Sequence, residues 1–87
     1  MKIPAMGGGG IELKHGTVTG NPSTNGNIVT DIPMSKHIVS AYCTSLTGVV
    51  ITMGESGGNW IFHLTTGAAT PAVITTPNQT VDYYYFE

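Results

Sequence analysis

His15, His37 and His63 are the side chains in this sequence best suited to holding a metal or passing a proton. Metal sites on one element use short spacings such as H-x-x-x-H or H-E-x-x-H, and the three histidines match neither. Each falls on or beside a different predicted strand, so only tertiary structure can bring them together, and they read as isolated side chains that pack or face water. One variant survives: in a three-fold assembly a single histidine near the axis, His15 or His63, occurs three times. The carboxylates are Glu12, Asp31, Glu55, Asp82 and Glu87. General acid–base chemistry needs paired titratable groups in a pocket, whereas Glu12 and Asp31 fall on the polar faces of predicted strands. Cys43 is the one cysteine, which rules out an internal disulfide. It lies in an apolar strand pattern and reads as a small core residue. Gly54 to Gly58 is followed by neither lysine nor helix and is no phosphate loop. The chain is therefore expected not to be an enzyme, with no catalytic residue, metal or cofactor.

The aromatic residues suit binding better. They are Tyr42, Trp60, Phe62, Tyr83, Tyr84, Tyr85 and Phe86. On a strand, Tyr84 and Phe86 share one face and Tyr83 and Tyr85 the other. In a two-layer structure one pair must point away from the core unless another chain covers it. Outward aromatics mark interfaces or sugar-stacking platforms; tyrosines whose hydroxyls reach water from a packed edge are the plainer alternative.

These residues lie on elements with a period of two. Ile11, Leu13 and His15 alternate with Glu12 and Lys14, and Val18 continues the run. Asn25-Gly26 is a hairpin signal. It leads to a strand from Asn27 to Ile32, which Pro33 ends. His37 to Thr44 is the next strand, with Ile38, Ser40 and Tyr42 expected on one face. Val49 to Met53, Asn59 to Thr65, a short Ala72 to Thr75 and Gln79 to Phe86 follow. Gly54 to Gly58 and Thr66 to Pro71 are expected loops. No stretch has helical periodicity, and Thr, Val, Ile and Tyr fit a pleated surface. The fold class is all-β: a small β-sandwich of about six to seven antiparallel strands with Greek-key or jelly-roll-like connections. Residues 1–10, with the run Gly7 to Gly10, read as a linker or shaft remnant, and residues 11–87 as one domain.

Composition narrows the partners. Of 87 residues 9 % are charged and 40 % hydrophobic, against roughly 25 % charged in an average globular chain. Such a surface either relies on Thr, Ser and Asn for solubility or is partly covered by copies of itself. There is no arginine, and only Lys2, Lys14 and Lys36 oppose five carboxylates. Nucleic-acid binding needs clustered cations, so no nucleic-acid partner is expected. No apolar run approaches the ~20 residues of a membrane helix, and no membrane insertion or signal peptide is expected.

Gly16-Thr17-Val18-Thr19, Thr24-Asn25-Gly26-Asn27-Ile28-Val29-Thr30, Ile32-Pro33-Met34, Ile38-Val39-Ser40-Ala41-Tyr42 and the closing Val81-Asp82-Tyr83-Tyr84-Tyr85-Phe86 occur in this order. In composition and order they resemble the C-terminal head domains of bacteriophage tail fibres, with a layout similar to H-type lectin domains. The resemblance covers about Gly16 to Glu87. It implies a β-sandwich that forms a homotrimer at the fibre tip of the virion and binds a bacterial surface receptor, a glycan or a protein. It carries over no catalytic residue. Receptor contacts are expected on loops, at Glu55, Ser56, Asn59, Trp60, Thr66 and Thr70. Tyr84, Phe86 and Tyr42 are expected at the oligomer interface. The alternative is a free-standing carbohydrate-binding or adhesion module, extracellular or on a cell surface, with Trp60, Tyr42 and Tyr84 as stacking residues.

Overall fold

A computed structural model describes residues 2–4 and 10–87. Its strands are β1 (Lys2–Pro4), β2 (Gly10–Glu12), β3 (Lys14–Gly20), β4 (Asn27–Pro33), β5 (His37–Cys43), β6 (Val49–Ser56), β7 (Asn59–Thr66) and β8 (Gln79–Phe86). β1 and β2 pair with each other as an antiparallel ribbon. Gly7 to Gly9, the centre of the expected linker, lie outside the described residues. The remaining strands form two three-stranded antiparallel sheets, ordered β3–β8–β5 and β4–β7–β6. First pairs with last (β3 with β8), second with fifth (β4 with β7), and β5 lies beside β6 at the sandwich edge. This nesting is the connectivity of a small jelly roll.

The core follows from alternation. Ile28, Ile32, Ile38, Phe62, Leu64, Val81 and Tyr83 are buried between the sheets, and Val18, Ala41, Val49, Ile51, Trp60 and Tyr85 pack against them. The ring of Tyr83 lies over Gly16, its direct partner on β3. Any Cβ at Gly16 would enter that ring, so glycine here is the space Tyr83 occupies.

Four local features differ from the sequence pattern, each for a physical reason. Asn25-Gly26 does not form a hairpin: it ends a turn closed by Gly26 N–H to Ser23 O, and the chain crosses to the other sheet. The expected loop over Gly54–Gly58 is mostly strand. Gly57 and Gly58 both have positive φ (61° and 85°), the two-residue geometry that matches strand twist, so the β6–β7 ladder runs unbroken to the turn. Ala72–Thr75 is no strand of its own; it is bridged once to β7, Val73 to Thr65, where β4 has ended. β5 carries an irregularity between Ile38 and Ser40. The extra residue, Val39, switches the facing, so Ile38 is buried while Ser40 and Tyr42 point outward instead of sharing its side.

β4 has a second irregularity, between Val29 and Pro33. The buried Thr30 side chain repairs it: its hydroxyl donates to Trp60 O at 2.7 Å and accepts from Ile32 N–H at 3.1 Å. One hydroxyl thus replaces lost ladder bonds. Thr30→Val keeps the shape and removes both partners, so it is expected to lower unfolding free energy by about 1–3 kcal/mol. Thr75→Val, at an exposed position outside the strands, should change it by less than about 0.5 kcal/mol; denaturant titration of both variants checks the contrast.

Candidate functional site

β8 is the central strand of its sheet, and its alternation divides its side chains. Gln79, Val81 and Tyr83 are buried, while Thr80, Asp82, Tyr84 and Phe86 take the opposite face. On β3 the same rule turns His15, Thr17 and Thr19 outward. On β5 the Val39 irregularity turns Ser40 and Tyr42 outward. Register then sets rows across three strands: His15–Tyr84–Ser40 and Thr17–Asp82–Tyr42, with Thr19 beside Thr80.

Asp82 organises this face. Its Oδ1 accepts the Thr17 hydroxyl at 3.0 Å, and its Oδ2 lies 3.5 Å from His15 Nε2. The His15 ring lies against Tyr84 at 5.0 Å, and Tyr42 stacks on the other side of Tyr84 at 6.3 Å with 26° between the planes. The three rings thus form a row across the strands, His15–Tyr84–Tyr42, with Tyr42 at its exposed end. The neighbouring Tyr84 hydroxyl, then desolvation, then the nearby Asp82 carboxylate hold the Tyr42 phenol above its ordinary value. Tyr42 stays neutral, able both to donate and to accept, over the whole physiological range. The Thr19 and Thr80 hydroxyls, 3.1 Å apart, extend the polar surface.

The surface is rich in hydroxyls, carries one carboxylate and two imidazoles, His15 and, opposite Phe86, His37, and is not concave: no pocket is found among the described residues. The His15–Asp82 pair has no serine or cysteine nucleophile beside it, and the Thr17 hydroxyl is committed to Asp82. What the arrangement provides is a dense array of donors and acceptors with apolar ring edges between them. Tyrosine-rich paratopes use the same combination, because tyrosine supplies amphipathic contact area at low entropic cost.

The expected receptor residues fall elsewhere, and they do not form one site. Glu55 and Ser56 end β6, with Glu55 Oε1 accepting Gly58 N–H at 3.3 Å and so bracing the turn. Asn59 and Trp60 open β7. Trp60 packs on the core and its Nε1–H donates to Lys36 O at 2.7 Å, so its ring is not a free stacking surface. Thr66 is at the far end of β7, where its hydroxyl accepts Ala72 N–H at 3.1 Å, and exposed Thr70 lies beyond. An eight-residue strand is roughly 23 Å long, so the two loops occupy opposite ends of the sandwich. Of the expected interface residues, Tyr42 and Tyr84 meet, and Phe86 follows on the same face opposite His37. His63 lies on the other sheet, hydrogen-bonded to Asn27 Oδ1 at 2.8 Å, and no three potential ligands are grouped to hold a metal among the described residues. Cys43 is half-buried and donates to Gln79 Oε1. Sequence reasoning missed His15, Thr17 and Asp82 as partners. The outward period-two positions of β3 and β8 were visible, but no sequence signal aligns strands 65 residues apart.

Comparison of the chain with protein-family models, with curated proteins and with solved structures finds no match.

Because Tyr84 is the largest cause of the raised Tyr42 value, Tyr84→Phe should let Tyr42 ionise at lower pH than in the parent chain. The ring-proton NMR shifts of Tyr42 followed against pH check this; a Tyr42 midpoint that stays where it is in the parent chain means that the two hydroxyls are not coupled.

Proposed function

We propose that this chain is a non-enzymatic binding module whose recognition surface is the outer face of β3–β8–β5, and that its ligand is a bacterial surface glycan. The observation that carries the reading is the outward cluster Tyr42–Tyr84–His15–Asp82–Thr17. Its side chains lie outside the buried core, and their hydroxyls and apolar ring surfaces match the alternating hydroxyls and apolar ring faces of a sugar. A carboxylate braced by a threonine keeps acceptor capacity for sugar hydroxyls. A flat face suits a chain of sugar units better than a small buried molecule. This reading moves Tyr42 and Tyr84 from an oligomer interface to the ligand surface.

Two settings remain for such a module. At a bacteriophage fibre tip, the setting implied by the family resemblance, three copies share an axis and bind with added avidity. As a free-standing adhesion module, the chain acts alone or in pairs; the unprotected β6 edge described below favours this setting.

Screening the purified chain on immobilised bacterial glycans tests the function. Tyr42→Ala and Tyr84→Ala should each weaken binding at least about tenfold, a loss of about 1.4 kcal/mol. Thr66→Ala, at the end of the sandwich, should leave binding unchanged. Absence of any glycan ligand, or binding indifferent to both tyrosines, overturns the reading. Light scattering separates the settings: about three times the chain mass of 9.1 kDa supports the fibre tip, and a monomer or dimer the adhesion module.

A further inference from the structure

The two sheets have four edges, and three are protected. Natural sheets guard their edges with proline, lysine, bulges or twist, because unpaired ladder groups invite a second chain. β4 carries Pro33 and a register shift, β5 carries the Val39 irregularity, and β3 carries Lys14 and two glycines. β6 has no proline, lysine or bulge, and its one glycine, Gly54, leaves open space beside the edge. Its eight residues pair with β7 without a shift, include no proline or cation, and are mostly exposed.

The hydrogen-bonding phase of the free edge follows from β7. Thr66 N–H bonds to Ala72 O, Leu64 N–H to Gly26 O, and Leu64 O accepts Ile74 N–H. Thr66 and Leu64 therefore turn their backbone groups away from β6, and in an antiparallel ladder so do their mates Val49 and Ile51 from β7. Alternation extends this to Met53 and Glu55. Among the described residues these free-edge groups have no other backbone partner.

We infer that a second copy of this chain pairs antiparallel along β6, with the two-fold axis passing beside Thr52. In this register Ile51 lies opposite Met53 and Val49 opposite Glu55, so every outward-turned group is used. A shift by one residue opposes groups that point the wrong way, and a shift by two leaves a pair unmet on each copy. Thr52 faces its own mate as a non-hydrogen-bonded pair, a favourable threonine pairing. Val50, 48 % exposed, lies opposite Gly54, where a Cβ would meet nothing within 4 Å. The second copy's Val50 thus fills the gap in the row Val29–Ile61–Gly54, whose Val29 is 69 % exposed. The antiparallel sense also puts the two Glu55 carboxylates at opposite ends of the seam; a parallel pair would set them side by side. The occupant is a second copy because the strand complements itself in backbone phase, in side-chain volume and in charge.

This inference does not rest on the glycan reading, and it uses a different face. The test places a thiol at the axis: Thr52→Cys in a Cys43→Ser background. Facing Cα atoms in such a pair are about 4.5 Å apart, within disulfide reach, so mild oxidation should give a cross-linked dimer. Thr19→Cys in the same background, on the other sheet, should stay uncross-linked. The parent chain should have about twice the 9.1 kDa mass. Met53→Pro removes an N–H that serves only the free edge and should return the mass to that of one chain. If circular dichroism shows that this proline disturbs the fold, Val50→Lys serves the same purpose. A parent chain that is monomeric or trimeric, or a dimer that does not cross-link through position 52, overturns the inference. Glycan binding, measured separately through Tyr42 and Tyr84, reports on the other reading whichever way this one falls.

Discussion

The structure depends on the pairing of β8 with both β3 and β5. This one strand supplies the interior of its sheet through Val81 and Tyr83 and the exterior through Asp82 and Tyr84. A slip of one residue would exchange the two sets, burying a carboxylate and exposing the core. The Tyr83 ring guards against that slip, because it fits only over Gly16. The same contact that closes the core therefore fixes which side chains appear on the outer face.

The irregularities in the ladders are equally purposeful. On β5 one extra residue keeps Ile38 in the core and turns Tyr42 out beside Tyr84; without it the stacked pair could not form on this strand. On β4 the buried Thr30 hydroxyl takes the place of broken ladder bonds, so the sheet can bend without leaving polar groups unmet. Bulges often re-aim a side chain at functional surfaces, and here the re-aimed residue joins the cluster built on Asp82.

The all-β class, the positions of the strands and most of the core were legible from alternation alone. Phe62, Leu64, Val81 and the isoleucines of β4 stand where period two puts them. The facing of Tyr42 was not legible, because a bulge leaves no compositional mark between Ile38 and Ser40. The length of β6 was misjudged because Gly54 reads as a loop residue, while only Gly57 and Gly58 turn the chain. The candidate site was half visible: Tyr42 and Tyr84 stood out as aromatics, but Asp82, Thr17 and His15 gained meaning only once β3 lay beside β8. Trp60 was overvalued as a surface residue because its type suggests binding; its indole N–H is satisfied by Lys36 O, and its ring belongs to the core's margin.

The face built on Asp82 contains a single carboxylate, two histidines and otherwise neutral side chains. A surface of this kind generates little long-range field. On the proposed reading, encounter with a ligand is unsteered by charge, and how long a complex lasts is decided by short-range fit. Salt acts mainly on charges, so attachment through this face, if it binds as proposed, would weaken little with ionic strength.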